Sequence, residues 1–164
     1  MNHLENATKL HAEQKYNLYS YSLHLQGVVA VYEKYGYLLR DITETPHFVM
    51  LACCYHDVLE DCNINYSDLS KLIPEEAANI VYAVTNELGK NRAERNAKTY
   101  PKIKASKEAL FVKLCDRIAN VRFGVYTNST MLKLYRKEHE EFYNSLYNGL
   151  YTEMWEELRN LLRE

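Results

Sequence analysis

The sequence predicts an all-α domain. Apolar residues recur at three- and four-residue spacing rather than alternating, and only five glycines and three prolines punctuate 164 residues, few for a chain of many tight β turns. At 47% hydrophobic composition the length suits one sizeable core, so a single compact helical bundle over residues 1–164 is expected rather than two small domains. No apolar run approaches the ~20 residues that cross a bilayer. A formal net charge of -2 gives no field for non-specific attachment to nucleic acid or membrane, so any anionic ligand must be met locally. The four cysteines form no C-x-x-C pair, and the start MNHLENATKLHAEQ has neither an apolar core nor a basic n-region. Both point to the reducing cytoplasm.

In chain order, Asn6 is a cap for a first helix reaching about Tyr16. Tyr21 to Tyr35 forms a second, with Leu25, Val28, Val29 and Tyr32 on one face, His24 beside it and Gly36 as its stop. Thr45-Pro46 starts a third, proline being suited to the first helical position. Its apolar stripe of Phe48, Leu51, Ala52, Tyr55, Val58 and Leu59 carries it through the stretch ACCYHDVLEDC. Ser67 caps a short helix to Leu72, and Pro74 opens another whose Ala77, Ile80, Val81, Val84 and Leu88 keep helical spacing. The basic segment GKNRAERNAKTYPKIKAS reads as a loop or short helix. Ser106 then caps a helix with Leu110, Leu114, Cys115, Ile118 and Val121 on its apolar face and Lys113, Asp116, Arg117 and Asn120 on a polar stripe. Two helices over about 130–164, divided near Gly149 and with Thr152 capping the second, complete the bundle. No strand is expected.

The chemistry concentrates in ACCYHDVLEDC. His56, Asp57, Glu60 and Asp61 span six residues and, on one helix, an arc of roughly 140°. Three carboxylates that close repel, and a divalent cation relieves them. A His-Asp dipeptide alone usually means an ordinary helical histidine, and the stripe from Lys113 to Asn120 alone means a wet helix face. His24 upstream and Asp116 downstream add the imidazole and carboxylate that would complete a divalent-ion site with positions left open for water and substrate.

The order His24, His56-Asp57, Asp116 resembles the H…HD…D signature of HD-domain metal-dependent phosphohydrolases. More narrowly, HDVLED, VTNE and KLCDRIANVR resemble the hydrolase domain of alarmone synthetase-hydrolases and the small alarmone hydrolases, which remove pyrophosphate from the 3′ position of guanosine tetra- and pentaphosphate. The resemblance covers about residues 11–121. It implies His24, His56, Asp57 and Asp116 as ligands of one divalent ion (Mn²⁺, with Fe²⁺, Zn²⁺, Mg²⁺ or Co²⁺ as alternatives). It also implies Glu60 and Asp61 as the pair that orients and deprotonates water, Asn120 as a nucleotide contact and Thr85 as a pocket wall. Arg92, Arg95 and Lys98, at three-residue steps in the basic segment, are expected to meet the remaining phosphates.

The family's Arg-Lys pair before the first metal histidine is absent; Lys15-Tyr16-Asn17 stands there, with Tyr21 keeping its spacing to His24. Tyr16 is expected to offer the flat face on which a base stacks. The expected activity is hydrolysis of a (p)ppGpp-like nucleotide. Alternatives are a nucleotidase acting on deoxynucleoside monophosphates, removal of pyrophosphate from a tRNA 3′ end, and a binding scaffold without turnover. No membrane partner is expected; self-association is open.

Overall fold

The computed structural model describes residues 2–163. Helix starts are set by short polar side chains that accept an otherwise orphaned backbone N–H. Asn2 accepts from Glu5 at the start of α1 (His3–His11), Asn65 from Asp68 at α5 (Tyr66–Leu72), and Asn91 from Glu94 at α7 (Arg92–Ala105). Ser106 does the same for α8 (Lys107–Thr127), and Ser129 for α9 (Thr130–Leu146). Between these lie α2 (Ser22–Tyr35), a 3-10 turn (Gly36–Leu39), α3 (Pro46–Tyr55), α4 (Val58–Asp61) and α6 (Glu75–Val84), and α10 (Thr152–Arg163) follows.

Four expectations change. The first cap is Asn2 rather than Asn6, and α1 ends at His11, well before Tyr16. Asn65, not Ser67, caps α5. Leu88 lies beyond α6 and is 89% exposed. A small ribbon exists: β1 (Lys15–Tyr16) pairs antiparallel with β2 (Tyr19–Ser20), and Asn17 supplies the positive φ of 57° in the two-residue turn.

The basic segment is the larger change, because it forms the 14-residue helix α7 with Pro101 inside it. Proline removes one helical donor, but the carbonyl it would have served belongs to the exposed Ala97, open to solvent rather than orphaned in the core. Asn96, Thr99, Tyr100 and Ile103 turn inward and pack α7 onto its neighbours. Gly89 lets the preceding loop lie on the first turn, since a Cβ there would sit 2.9 Å from the Arg95 nitrogen.

The centre of the fold is α8. It touches α2, α3, α6, α7, α9 and α10, and its supposed wet stripe is largely inside, with Asp116 and Arg117 buried alongside Phe111, Leu114 and Ile118. Over residues 109–121 the helix is enclosed, although Lys107 and Tyr126 at its ends stay exposed, so the polar side chains of that stretch face an interior cavity or partners.

The last helix is fixed by Trp155, Leu158 and Met154 in the core and by Glu157, which receives Lys34 Nζ, the Tyr35 hydroxyl and Arg122 Nε. Burial would raise the Glu157 pKa, but these hydrogen bonds outweigh it and hold the carboxyl below its usual value. The charged form therefore stabilises the fold above about pH 4.3, the unfolded value. That contribution fades as pH falls through the lower folded value. Glu157→Gln is expected to cost about 2 kcal/mol at pH 7, a fall of roughly 4–8 °C in Tm. Melting curves from pH 7 to 3 should show this gap closing on acidification.

Candidate functional site

The site forms where α3 stops. The helix runs only to Tyr55, His56 and Asp57 make a turn, and α4 restarts at Val58. At that break the His56 ring turns back and its Nδ1 bonds the Cys53 carbonyl at 3.0 Å, which aims Nε2 into the interior. The four acidic and imidazole groups of ACCYHDVLEDC thus come from a turn and a short helix, not one continuous helix.

Two other elements complete the cluster. His24, on α2, places its Nε2 3.1 Å from that of His56. Asp57 Oδ2 lies 2.8 Å from His56 Nε2 and 3.4 Å from His24 Nε2. Asp116, on α8, brings Oδ1 to 3.5 and 3.8 Å from the same two nitrogens. His24, His56 and Asp57 offer donor atoms within 4.8 Å of one another, a set able to hold a metal ion.

Ligand atoms about 2.1 Å from a shared ion sit about 3.0–3.4 Å apart in octahedral or tetrahedral sites; the separations here, 2.8 to 3.8 Å, bracket that spacing. The charges fit too. Burial pulls the His56 pKa down, yet Asp57 beside it prevails and pushes it up to about 9. Burial likewise works against ionised Asp57, but His56 and His24 hold its carboxyl well below the usual range.

Around the donors, neighbours fix each carboxylate. The Tyr21 hydroxyl donates to Asp57 Oδ2. Lys113 Nζ reaches Asp116 Oδ2 at 2.9 Å, and Asn120 Nδ2 donates to Asp116 Oδ1. Glu60 is clamped by the backbone N–H of Asn86 at 2.7 Å and its Nδ2 at 2.8 Å. Glu60 is an exposed residue, yet desolvation around its carboxyl raises its pKa against the opposing pull of Asn86. Asp61 accepts from Gln14 Nε2 at 2.8 Å.

A polar cavity of about 150 Å³ adjoins the donors, lined by Asp57, Asn86, Arg92, Lys113, Arg117 and Tyr135 among others. Arg92 binds Glu138 through Nε at 2.6 Å and an Nη at 3.1 Å. Arg117 lies between the Tyr135 and Phe142 rings, 4.6 and 4.3 Å from their centroids, and 3.6 Å from Glu138. Tyr16, Asn120 and Tyr135 join this cavity to a wider one of about 610 Å³ with Asn17, Asn128, Ser129 and Thr130 on its walls.

Arg95, Lys98 and Thr85 do not line either cavity. Lys98 bonds the Leu88 carbonyl and Glu94, Arg95 packs on Gly89, and the Thr85 hydroxyl turns back to the Val81 carbonyl. On a helix, residues three apart do not stay in line over six, and only Arg92 faces inward. Tyr16 does not present a free ring. Its hydroxyl donates to Asn120 Oδ1 at 2.8 Å, and His24 and Phe123 lie against it at centroid distances of 4.9 and 4.4 Å. Asn86, Gln14 and Tyr135 were not singled out as site residues; Asn86 stands next to Thr85 in VTNE, and Gln14 directly precedes Lys15-Tyr16-Asn17.

The helical architecture brings the histidines and aspartates of the H…HD…D order together at its centre. A solved structure described as a metazoan ortholog of SpoT that hydrolyses ppGpp superposes with a TM-score of 0.78 at 22% identity, covering 99% of this chain and 93% of that one. Guanosine-3′,5′-bis(diphosphate) 3′-pyrophosphohydrolase MESH1 of Drosophila melanogaster is 30% identical over 79 residues, which span 48% of this chain and 44% of the fly protein. No family model matches the chain.

Proposed function

We propose that the protein is a divalent-metal-dependent phosphohydrolase that removes pyrophosphate from the 3′ position of a guanosine tetra- or pentaphosphate. The observation that supports this most is the meeting of His24, His56, Asp57 and Asp116 at one point, with Glu60 and Asp61 one turn beyond. The likeness to ppGpp-hydrolysing proteins supports the choice of substrate.

In this reading those four residues hold one ion, with Mn²⁺ proposed because two imidazoles and two carboxylates form a borderline-hard donor set. A divalent ion so held supplies positive charge to phosphoryl oxygens and acidifies water. Glu60, fixed by Asn86, accepts the proton of the attacking water. Asp61 orients that water. The nucleoside occupies the wider cavity against Asn120, while Arg92 and Arg117 meet the phosphates that are not cleaved. Glu138 holds both guanidiniums at the wall, leaving N–H groups for phosphate oxygens.

Arg92→Ala is expected to raise KM for ppGpp about 10-fold, the loss of roughly one charge-assisted hydrogen bond, with kcat changed less than about 3-fold. Steady-state kinetics check this split. We assign the reaction to the cytoplasm, in keeping with four cysteines all free; among the described residues no helix is long and apolar enough to cross a membrane.

A panel tests the proposal: guanosine and adenosine 3′-pyrophosphates, deoxynucleoside monophosphates and a 3′-pyrophosphorylated tRNA, each with Mn²⁺, Mg²⁺, Fe²⁺, Co²⁺ or Zn²⁺. Pyrophosphate from ppGpp is the expected result. Phosphate from monophosphates alone, or turnover of the tRNA alone, overturns it.

A further inference from the structure

We propose that His11 and Gln14 are positioning residues for Asp61, forming a one-directional hydrogen-bond relay from a buried imidazole to the carboxylate beside the donor cluster. This rests on the reading above only in the role it gives Asp61; the relay itself stands on geometry.

His11 is the last residue of α1 and is 3% exposed. Its ring stacks on Tyr21 at 4.3 Å with an interplanar angle of 20°, and Tyr21 in turn donates to Asp57. His11 Nδ1 lies 2.8 Å from Gln14 Oε1, and Gln14 Nε2 lies 2.8 Å from Asp61 Oδ2. The Gln14 backbone is held as well, its N–H donating to the His11 carbonyl and its own carbonyl accepting from Tyr21.

Chemistry allows this chain one direction. An ionised carboxylate only accepts, so the Gln14 amide must point its NH₂ at Asp61 and its oxygen at His11. His11 must then carry its proton on Nδ1. The other ring nitrogen, Nε2, is buried and has no partner among the described residues, which disfavours placing a proton there, since a buried donor left unbonded is costly. The tautomer of one enclosed histidine thereby sets the amide, and the amide sets Asp61. Asp61 itself is exposed, and an exposed carboxylate without such an anchor would sample several rotamers. Holding it in one orientation is the kind of preorganisation that affects turnover more than binding.

Two measurements test the relay. The first needs no activity: a long-range proton–nitrogen spectrum of the full chain labelled at histidine nitrogens, with and without Mg²⁺, His11 being assigned by its loss in His11→Phe. His11 is expected in the Nδ1–H tautomer near neutral pH, and its two nitrogen signals should shift toward the mixed or Nε2–H pattern in Gln14→Leu and in Asp61→Asn. An Nε2–H tautomer in the wild type, or a pattern unmoved by both substitutions, overturns the relay.

The second is kinetic, on ppGpp with Mn²⁺. His11→Phe, which keeps the stacking on Tyr21, and Gln14→Leu are each expected to lower kcat about 10-fold while KM and Mn²⁺ affinity stay within about 2-fold. His11→Asn, which returns a donor near the Nδ1 position, should recover part of the loss. Equal falls in Mn²⁺ affinity, or no change in kcat, contradict the positioning role. If the wild type releases nothing from ppGpp, the functional reading fails, and the tautomer still judges the relay.

Discussion

Asp57→Ala is expected to abolish both Mn²⁺ binding and hydrolysis, with kcat falling at least about 1,000-fold, because the ion is asked to supply several kcal/mol of charge stabilisation. Asp57 is the donor on which the others converge. Its Oδ2 sits within 3.4 Å of both histidine Nε2 atoms and also takes the Tyr21 hydroxyl. Without it, His24 and His56 face each other at 3.1 Å with Asp116 as the one remaining carboxylate nearby, and Lys113 competes for that. Isothermal titration with Mn²⁺ and circular dichroism would be read together. Lost binding in a folded variant is the expected result, and unchanged affinity would mean the cluster is an internal salt bridge rather than an ion site.

The second large effect is expected at Glu60. Glu60→Gln keeps the side chain's length and an oxygen for the Asn86 N–H, but removes the group proposed to take the proton. A fall of about 100- to 10,000-fold in kcat is expected, with Mn²⁺ affinity within about 2-fold, because Glu60 is not among the converging donors. This distinguishes an enzyme from a scaffold that merely binds nucleotide, since a scaffold's affinity for ppGpp would be unmoved and its turnover absent in wild type and variant alike. Asn86→Ala should show the same split more weakly. It leaves the carboxylate in place and the backbone donor on it, removing one of its two hydrogen bonds.

The helices and the donor set were legible because both are written in spacing and residue type. The apolar periodicity marked α2, α3, α6 and α8, and the adjacent His56-Asp57 stood out with His24 and Asp116 from two other helices as metal-ligand types. Location within those helices was harder. The apolar stripe from Phe48 to Leu59 argued for one helix, yet the His56 ring takes the Cys53 carbonyl and the chain turns there. In α7 the run of lysines and arginines masked an Asn91-x-x-Glu94 start of capping-box type. Its inward face also carries Asn96 and Thr99, which a hydrophobicity count reads as outward. Helix phase then decided that Arg92 enters the cavity while Arg95 and Lys98 stay outside. The polar stripe of α8 illustrates the converse. Asp116 and Arg117 look like a solvated face until six helices close around them, and only tertiary packing reveals that the stripe lines the site. Tyr16 was expected to be a stacking platform; in the structure His24 and Phe123 lie against it in tilted contacts, made through the ribbon that alternation over two-residue strands was too short to announce.

The most direct test of the central claim is product analysis of ppGpp incubated with Mn²⁺ and either the wild-type chain or Asp57→Ala. The account predicts one pyrophosphate for each guanosine diphosphate formed by the wild type, and none from the variant. No pyrophosphate from the wild type with Mn²⁺ bound, or equal release by both proteins, would contradict it.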